Sequence, residues 1–366
     1  MNLSKITRPT LLLDAARARR NIARMVERTK QQDVRFRPHF KTHQSSTIGA
    51  WFRAFGVEAI TVSSVRMAAC FAAHGWDDIN IAFPANLREV EAIDRLAADV
   101  RLHLLVDEVD TVETFRDRLR HPASIWIDID VGEHRTGIPW DDGAAIARVA
   151  TAVRPPLRFG GLLTHAGHTY HASTPAEIRG IHRETVDRMG SARDRLAADC
   201  NGPIEISIGD TPGCTLTEPL GPIDEIRPGN LVFHDLVQQR LGVCGEDDLA
   251  LALACPVVAK DAQRRRLVIY GAAIHLSKDA LPGPNGRPIY GIATTLDETG
   301  WGPLRPACAV SALSQEVGLV ETDDLLWNAV EVGDLVAVAP VHACLTVAAM
   351  RAYVTLDGET ISADCG

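Results

Sequence analysis

The chain has 366 residues, is 46% hydrophobic and carries a formal net charge of −9. That length supports a large core and about two domains, while the acidic balance and the lack of a lysine–arginine tract argue against a nucleic-acid partner. The opening residues Met1–Lys5 lack a secretory apolar stretch, no run approaches a membrane span, and the eight cysteines are scattered without CxxC pairs, so the expectation is a cytoplasmic protein with reduced thiols and no membrane partner.

Thr10-Leu11-Leu12-Leu13 reads as a strand, and Asp14 can cap a helix from Ala15 to about Lys30. Further strands are expected at Arg35–Phe40, Ala59–Val62, Ile79–Phe83, Leu102–Val106, Ile125–Ile129, Phe159–Leu163 and Ile204–Ile208. Helical spacing falls between them, at Val65–Ala73, Leu87–Ala97, Val109–Leu119, Asp141–Val153 and Ala176–Ala198. Eight strands alternating with helices or loops match one (β/α)8 barrel; a doubly wound sheet competes, but no GxGxxG follows the first strand. After Asn230 the texture changes to short β-rich runs (Leu249–Val258, Arg266–Tyr270, Leu335–Ala339, Leu345–Ala349, Tyr353–Thr355), punctuated by Pro282-Gly283-Pro284-Asn285-Gly286. The expected fold is therefore α/β: a (β/α)8 TIM-type barrel over residues 10–234, then a mostly antiparallel β domain over 235–366, which residues 1–9 are free to join.

Chemistry in a barrel gathers at the carboxyl ends of the strands. Lys41 stands there, within Arg37-Pro38-His39-Phe40-Lys41-Thr42-His43-Gln44-Ser45. A strand-end lysine among aromatic and cationic neighbours is a candidate Schiff-base amine, because desolvation and like charge lower its pKa. The loop Asp130–Gly137 delivers Arg135, which could hold a cofactor ring oxygen or a substrate carboxylate, or simply pair with Glu133 or Asp130. Thr164-His165-Ala166-Gly167-His168-Thr169-Tyr170-His171 offers proton-transfer candidates, with His165 directed into the barrel and His168 and Tyr170 on the loop that meets substrate. Gly209-Asp210-Thr211 and Arg227-Pro228-Gly229-Asn230 form two tight turns whose N–H groups suit a phosphate. In Pro340-Val341-His342-Ala343-Cys344, His342 and Cys344 would share one face of a strand and could grip a divalent ion, zinc or manganese, leaving positions open for water and substrate. A buried strand cysteine beside a histidine is the commoner outcome for that pattern.

With those segments in place, the chain resembles the fold-type III pyridoxal phosphate (PLP) enzymes of the D-threonine aldolase and D-serine dehydratase family. The resemblance spans nearly the full length and extends to Ser277-Lys278-Asp279 and Ser314-Gln315-Glu316. It implies an alanine-racemase-like barrel and β domain, usually a homodimer, acting on a small D-amino acid. It implies PLP on Lys41, with Arg135, Tyr170, Gly209, Asp210, Thr211, Gly229 and Asn230 around the cofactor. His168 and His165 would then serve proton transfer, and His342 and Cys344 a metal. Two departures weaken a D-serine dehydratase assignment: Tyr270–His275 replaces an aspartate–glycine element, and Val317 stands where a dehydratase commonly has histidine. Cys344 pulls the other way, since several aldolases have aspartate there. The expectation is a D-threonine aldolase type of lyase, cleaving a β-hydroxy-D-amino acid to glycine and an aldehyde. The alternative is a D-serine or 3-hydroxy-D-aspartate dehydratase releasing a 2-oxo acid and ammonia. A racemase and a non-catalytic PLP carrier rank lower.

Overall fold

Strand β1 (Thr10–Leu13) begins the chain's regular structure, and in the computed structural model it departs from the expected barrel. It pairs antiparallel with Leu251–Asp261 and parallel with Ala352–Thr355, in the sheet of the second domain. Leu11, Leu12 and Leu13 are all buried there. A continuous apolar run identifies a strand covered on both faces without saying which sheet it enters. The structure describes residues 1–197, 202–283 and 286–366; Ala198 at the end of an expected helix, Cys200, and Pro284 and Asn285 of the glycine–proline run lie outside them.

Asp14 caps helix Ala15–Gln31 by accepting the Arg17 N–H at 2.9 Å, and Ala18, Ile22, Met25 and Val26 form its inner stripe. The barrel follows as β2 (Arg35–Phe36), β3 (Ile60–Val62), β4 (Asp78–Pro84), β5 (Arg101–Val106), β6 (Ser124–Asp130), a short β7 (Ile138–Pro139) beside β6, then β8 (Arg158–His165), β9 (Glu205–Gly209) and β10 (Glu225–Ile226). The parallel order is β2-β10-β9-β8-β6-β5-β4-β3. Its two ends meet through the Phe40 N–H on the Thr61 carbonyl (2.8 Å) and the Thr61 N–H on that of Pro38 (2.9 Å). The eighth barrel strand is therefore Glu225–Ile226 rather than Thr10–Leu13. Lys41 follows the first strand of the barrel, and the two phosphate-suited turns follow its last two.

In the second domain Leu251–Asp261 lies between β1 and Leu335–Pro340, which pairs in turn with Gly291–Asp297, all antiparallel. One expected strand is a helix: Leu345–Ala349 lies within Ala343–Met350. Pro340 ends the preceding strand, and the alanine-rich, apolar segment behind it satisfies either reading until helix formers decide it.

Cys70 and Cys365, 295 residues apart, form a disulfide with Cα atoms 5.4 Å apart, which corrects the expectation of reduced thiols for this pair. Cys214, Cys244, Cys255, Cys308 and Cys344 are free. No described helix is long and apolar enough to cross a membrane.

Candidate active site at the carboxyl end of the barrel

Phe40 fixes the start of the site. Its ring is fully buried, 5.0–5.2 Å from Phe71, Phe52 and Trp76, so the next residue is held at the barrel rim. His43 stacks on Phe52 in the same nest and is a core residue. The Lys41 amine opens into a cavity of about 230 Å³ and reaches solvent through it, though protein crowds it on most sides. This crowding lowers the ammonium's pKa below the ordinary lysine value; Arg135 and Arg227 add to the effect, and Cys344 and Glu133 oppose it. His39 is kept neutral by burial and by Lys41. Lys41 thus has the environment of a nucleophilic amine.

The turns after β9 and β10 form one wall. Gly229 packs so closely that a Cβ would lie 2.6 Å from the His39 carbonyl and 2.9 Å from Thr42 Oγ1. Gly209 similarly admits the guanidinium of Arg227, which a Cβ would approach to 2.9 Å. Arg227 is buried beneath the cavity and donates to Ser207 Oγ at 2.7 Å and to the Thr164 carbonyl. The Thr211 N–H donates to Tyr170 Oη at 3.3 Å, and the Asn230 N–H donates to Thr211 Oγ1 at 3.1 Å. Burial raises the Tyr170 phenol, which stays protonated. Asp210 caps the following turn through the Gly213 N–H; burial raises its carboxyl, so a neutral acid is favoured beside any incoming phosphate.

The opposite wall carries the proposed metal ligands, on different backbone from that expected. His342 is the N-cap of helix Ala343–Met350, and Cys344 is the second residue of that helix. Both line the Lys41 cavity, and the Cys344 thiol donates to Thr42 Oγ1 at 3.3 Å. Asp279 Oδ2 lies 2.6 Å from His342 Nδ1, and buried Asp235 accepts the Ala343 N–H at 2.9 Å. Burial would lower the imidazole's pKa, but Cys344, Asp235 and Asp279 raise it to about 10. A nitrogen and a sulfur donor beside two carboxylates are a charge arrangement that a divalent cation would neutralise. Asp279 was legible only as part of a motif, and its role is set by the fold.

The structure gathers Lys41, His165, Tyr170, Gly209, Asp210, Thr211, Gly229, Asn230, His342 and Cys344 around this cavity. Two expected residues lie elsewhere. The 3-10 turn Gly167–His171 carries His168 away from the cavity, where burial and Arg188 lower its pKa. Arg135 is exposed and pairs with Glu133 at 3.3 Å, a carboxylate that does line the cavity. His165 lines the cavity, but burial and Lys41 hold its imidazole down at about 3, and Nδ1 is engaged by the Gly209 carbonyl. It is neutral near pH 7 and unsuited to act as an acid. A larger cavity of about 890 Å³ opens at the other end of the barrel, where Arg35 pairs with Glu205 and Glu225, and Arg37 with Asp78 and Glu225.

Comparison with known proteins agrees with this layout. A family model described as "Alanine racemase, N-terminal domain" matches residues 13–236, and one described as "Putative serine dehydratase domain" matches 250–356. The chain is 31% identical over 365 residues to D-threo-3-hydroxyaspartate dehydratase of Delftia sp. (strain HT23), covering 96% of this chain and 94% of that protein. It is 24% identical to D-serine dehydratase of Dictyostelium discoideum, covering 98% and 95%. To D-threonine aldolase of Arthrobacter sp it is 26% identical, covering 64% and 62%. The Delftia enzyme's solved structure superposes with a TM-score of 0.90 at 28% identity over 98% of each chain. Variants of that enzyme have also been solved, one with a histidine replaced by alanine and one, metal-free, with a cysteine replaced two positions further on.

Proposed function

The chain belongs to the alanine racemase N-terminal domain family with a serine dehydratase domain behind the barrel, and from that premise we propose that it is a PLP- and metal-dependent dehydratase of β-hydroxy-D-amino acids. The observation that carries the reading is the sharing of one cavity by Lys41, His342 and Cys344. The Delftia dehydratase supports it, being similar over nearly the full length and having a histidine and a cysteine with the same spacing in its substituted variants. The aldolase favoured by the sequence has weaker support, because two aldolase relatives are 25–26% identical over 64–82% of the chain, against 31% over 96% for the Delftia dehydratase.

PLP, bound through Lys41, supplies an electron sink that acidifies the substrate's Cα–H. A divalent ion held by His342 and Cys344 supplies a Lewis acid for the β-hydroxyl. The remaining work belongs to the chain. With PLP in place, Lys41, whose amine has a lowered pKa and lines the cavity, would be the group that takes the α-proton. Asp279 engages His342 Nδ1, which leaves Nε2 as the nitrogen that would hold an ion. Gly209, Thr211 and Gly229 leave room and donors for the phosphate, and the Tyr170 phenol stays a neutral donor beside them. The net reaction would be loss of the α-proton and the β-hydroxyl as water, then uptake of one water to give a 2-oxo acid and ammonia. A homodimer is part of this reading, supported by exposed Ile274, Val317 and Leu345 on the domain that carries the metal pair.

Product analysis decides the matter. Incubation of D-threo-3-hydroxyaspartate, D-serine and D-threonine with the protein, PLP and a divalent metal should yield 2-oxo acid and ammonia in equal amounts. Glycine with an aldehyde would return the assignment to an aldolase, and turnover unaffected by chelator would remove the metal from it.

A further inference from the structure

The C-terminus is fastened to the turn that carries Lys41. The Cys365 N–H donates to the Gln44 carbonyl at 2.8 Å, and Ser46 donates through N and Oγ to the Asp364 carboxylate at 2.8 and 2.6 Å. Gln44 Nε2 in turn donates to the Lys41 carbonyl at 3.0 Å. Gln44 stands at φ 52°, a left-handed conformation that a non-glycine residue keeps only where its surroundings hold it. Those surroundings are the tail: Gly366 lies directly against the Gln44 side chain.

The covalent anchor of this assembly is the Cys70–Cys365 disulfide, which ties the tail to helix Val65–Ala73. Cys365 is buried whereas Cys70 is half-buried, so a reagent meets the Cys70 sulfur first. His74 lies one turn further along the same helix, with Nδ1 3.9 Å from Cys70 Sγ and Nε2 3.9 Å from the Asp364 carboxylate. Its Nδ1 is engaged by the Cys70 carbonyl at 2.9 Å, which holds the exposed imidazole beside the disulfide.

We propose that Cys70 and Cys365 form a reversible redox site for low-molecular-weight disulfides, and that its closed form braces the Lys41 turn through Gln44 and Asp364. Closure starts from two thiols and one external disulfide such as oxidised glutathione. The Cys70 thiolate attacks that disulfide and releases one glutathione thiolate. The Cys365 thiolate then attacks the Cys70 sulfur of the mixed disulfide and releases the second. The two protons lost by the cysteines end on two glutathione thiols, the protein pair is oxidised and the external disulfide is reduced. Opening by a dithiol is the reverse exchange, the dithiol leaving as a disulfide; a phosphine opens the pair by attack on sulfur, with water, leaving as the phosphine oxide.

The inference needs the Lys41 turn but not the reaction proposed above, so its test is amide hydrogen exchange and can fail while the lyase assay succeeds. The full-length protein would be equilibrated with oxidised glutathione or with a phosphine reductant, and its thiols blocked before digestion. A linked Cys70–Cys365 peptide is expected only in the oxidised sample. Reduction should speed exchange over residues 41–46 by roughly tenfold, with the barrel strands unchanged. Cys70→Ser and Cys365→Ser should exchange like the reduced protein and ignore the redox cycle; wild type under both conditions carries the test if either variant fails to fold. Both thiols remaining open to alkylation after oxidation would overturn the proposal. So would a linked pair whose reduction leaves residues 41–46 unmoved, or a zinc ion bound by reduced Cys70, His74 and Cys365 that prevents closure.

Discussion

Both ends of the barrel hold buried charges and treat them differently. At the amino end Arg37 donates to Glu225 at 2.7 Å and to Asp78, while His103 links Asp78 at 3.0 Å to the Trp126 indole at 3.0 Å. Ser207 Oγ donates to Glu225 at 2.7 Å and accepts from Arg227 at 2.7 Å, carrying the network up toward the site. Each charge there has an opposite partner. At the carboxyl end Lys41 feels the positive charge of Arg135 and Arg227, and His342 lies among Cys344, Asp235 and Asp279. The lower network is paired internally and joined to the site through Ser207; the upper one is the arrangement that the proposed cofactor and cation would balance. Perturbation should therefore cost stability below and activity above.

Replacement of Lys41 by alanine is the largest test of that division. It should lower kcat by roughly 10³-fold or more, since one residue supplies both the covalent anchor and the base. The thermal midpoint should move little, because the amine opens into a cavity and packs against no core. A Lys41→Ala protein that keeps its turnover, measured as 2-oxo acid release, would remove the site altogether.

Arg37→Ala is the counterpart at the other end. It removes the buried guanidinium that Glu225 and Asp78 share, leaving Arg35 as the only cation paired with Glu225 among the described residues, and denaturant unfolding should show a loss of about 3–5 kcal/mol. Turnover per folded molecule should stay near that of wild type. Comparable loss of activity without loss of stability would mean that the two ends are not separable.

How far this division can be read from the sequence depends on length scale. Lys41, the Gly209–Thr211 and Arg227–Asn230 turns and the His342–Cys344 pair are local patterns, and all of them reach the same cavity. The failures are matters of context. Thr10–Leu13 looks like any barrel strand, while the true eighth strand, Glu225–Ile226, is two residues long and has no periodicity to detect. His168 sits in the expected loop, but its half-buried ring does not line the cavity. His342 and Cys344 lie at the start of a helix, so they come together for a different reason from strand alternation. Neither the Cys70–Cys365 link nor the reach of Asp279 to His342 has any local signature, because each joins residues far apart in the chain.

Asp279→Asn probes the upper end more gently. Asparagine keeps the size of the side chain but removes the charge that orients His342, so metal affinity should fall roughly 10–100-fold. A chelator-competition titration reads this without reference to turnover. Chelation should abolish activity in both proteins, with the variant needing more added metal to recover. Unchanged affinity would show that Cys344 and Asp235 suffice to hold the imidazole.

The smallest effect is a pH dependence that belongs to the lower end. Burial would raise the Glu225 carboxyl, but Arg37 and Arg35 prevail and hold it at about 2, against 4.5 for the free side chain. A carboxyl lowered by folding stabilises the folded state at pH values above the unfolded pKa, and that contribution is lost as pH falls through 4.5 toward 2. Between roughly pH 5 and pH 3.5 this one group should remove about 1 kcal/mol, taken as the difference between the unfolding free energies of wild type and Glu225→Gln. The glutamine variant no longer titrates at this position, so the other carboxylates cancel in the difference. A difference flat across that range would mean that Glu225 keeps an ordinary pKa in the fold, and that Arg37 and Arg35 do not compensate its burial.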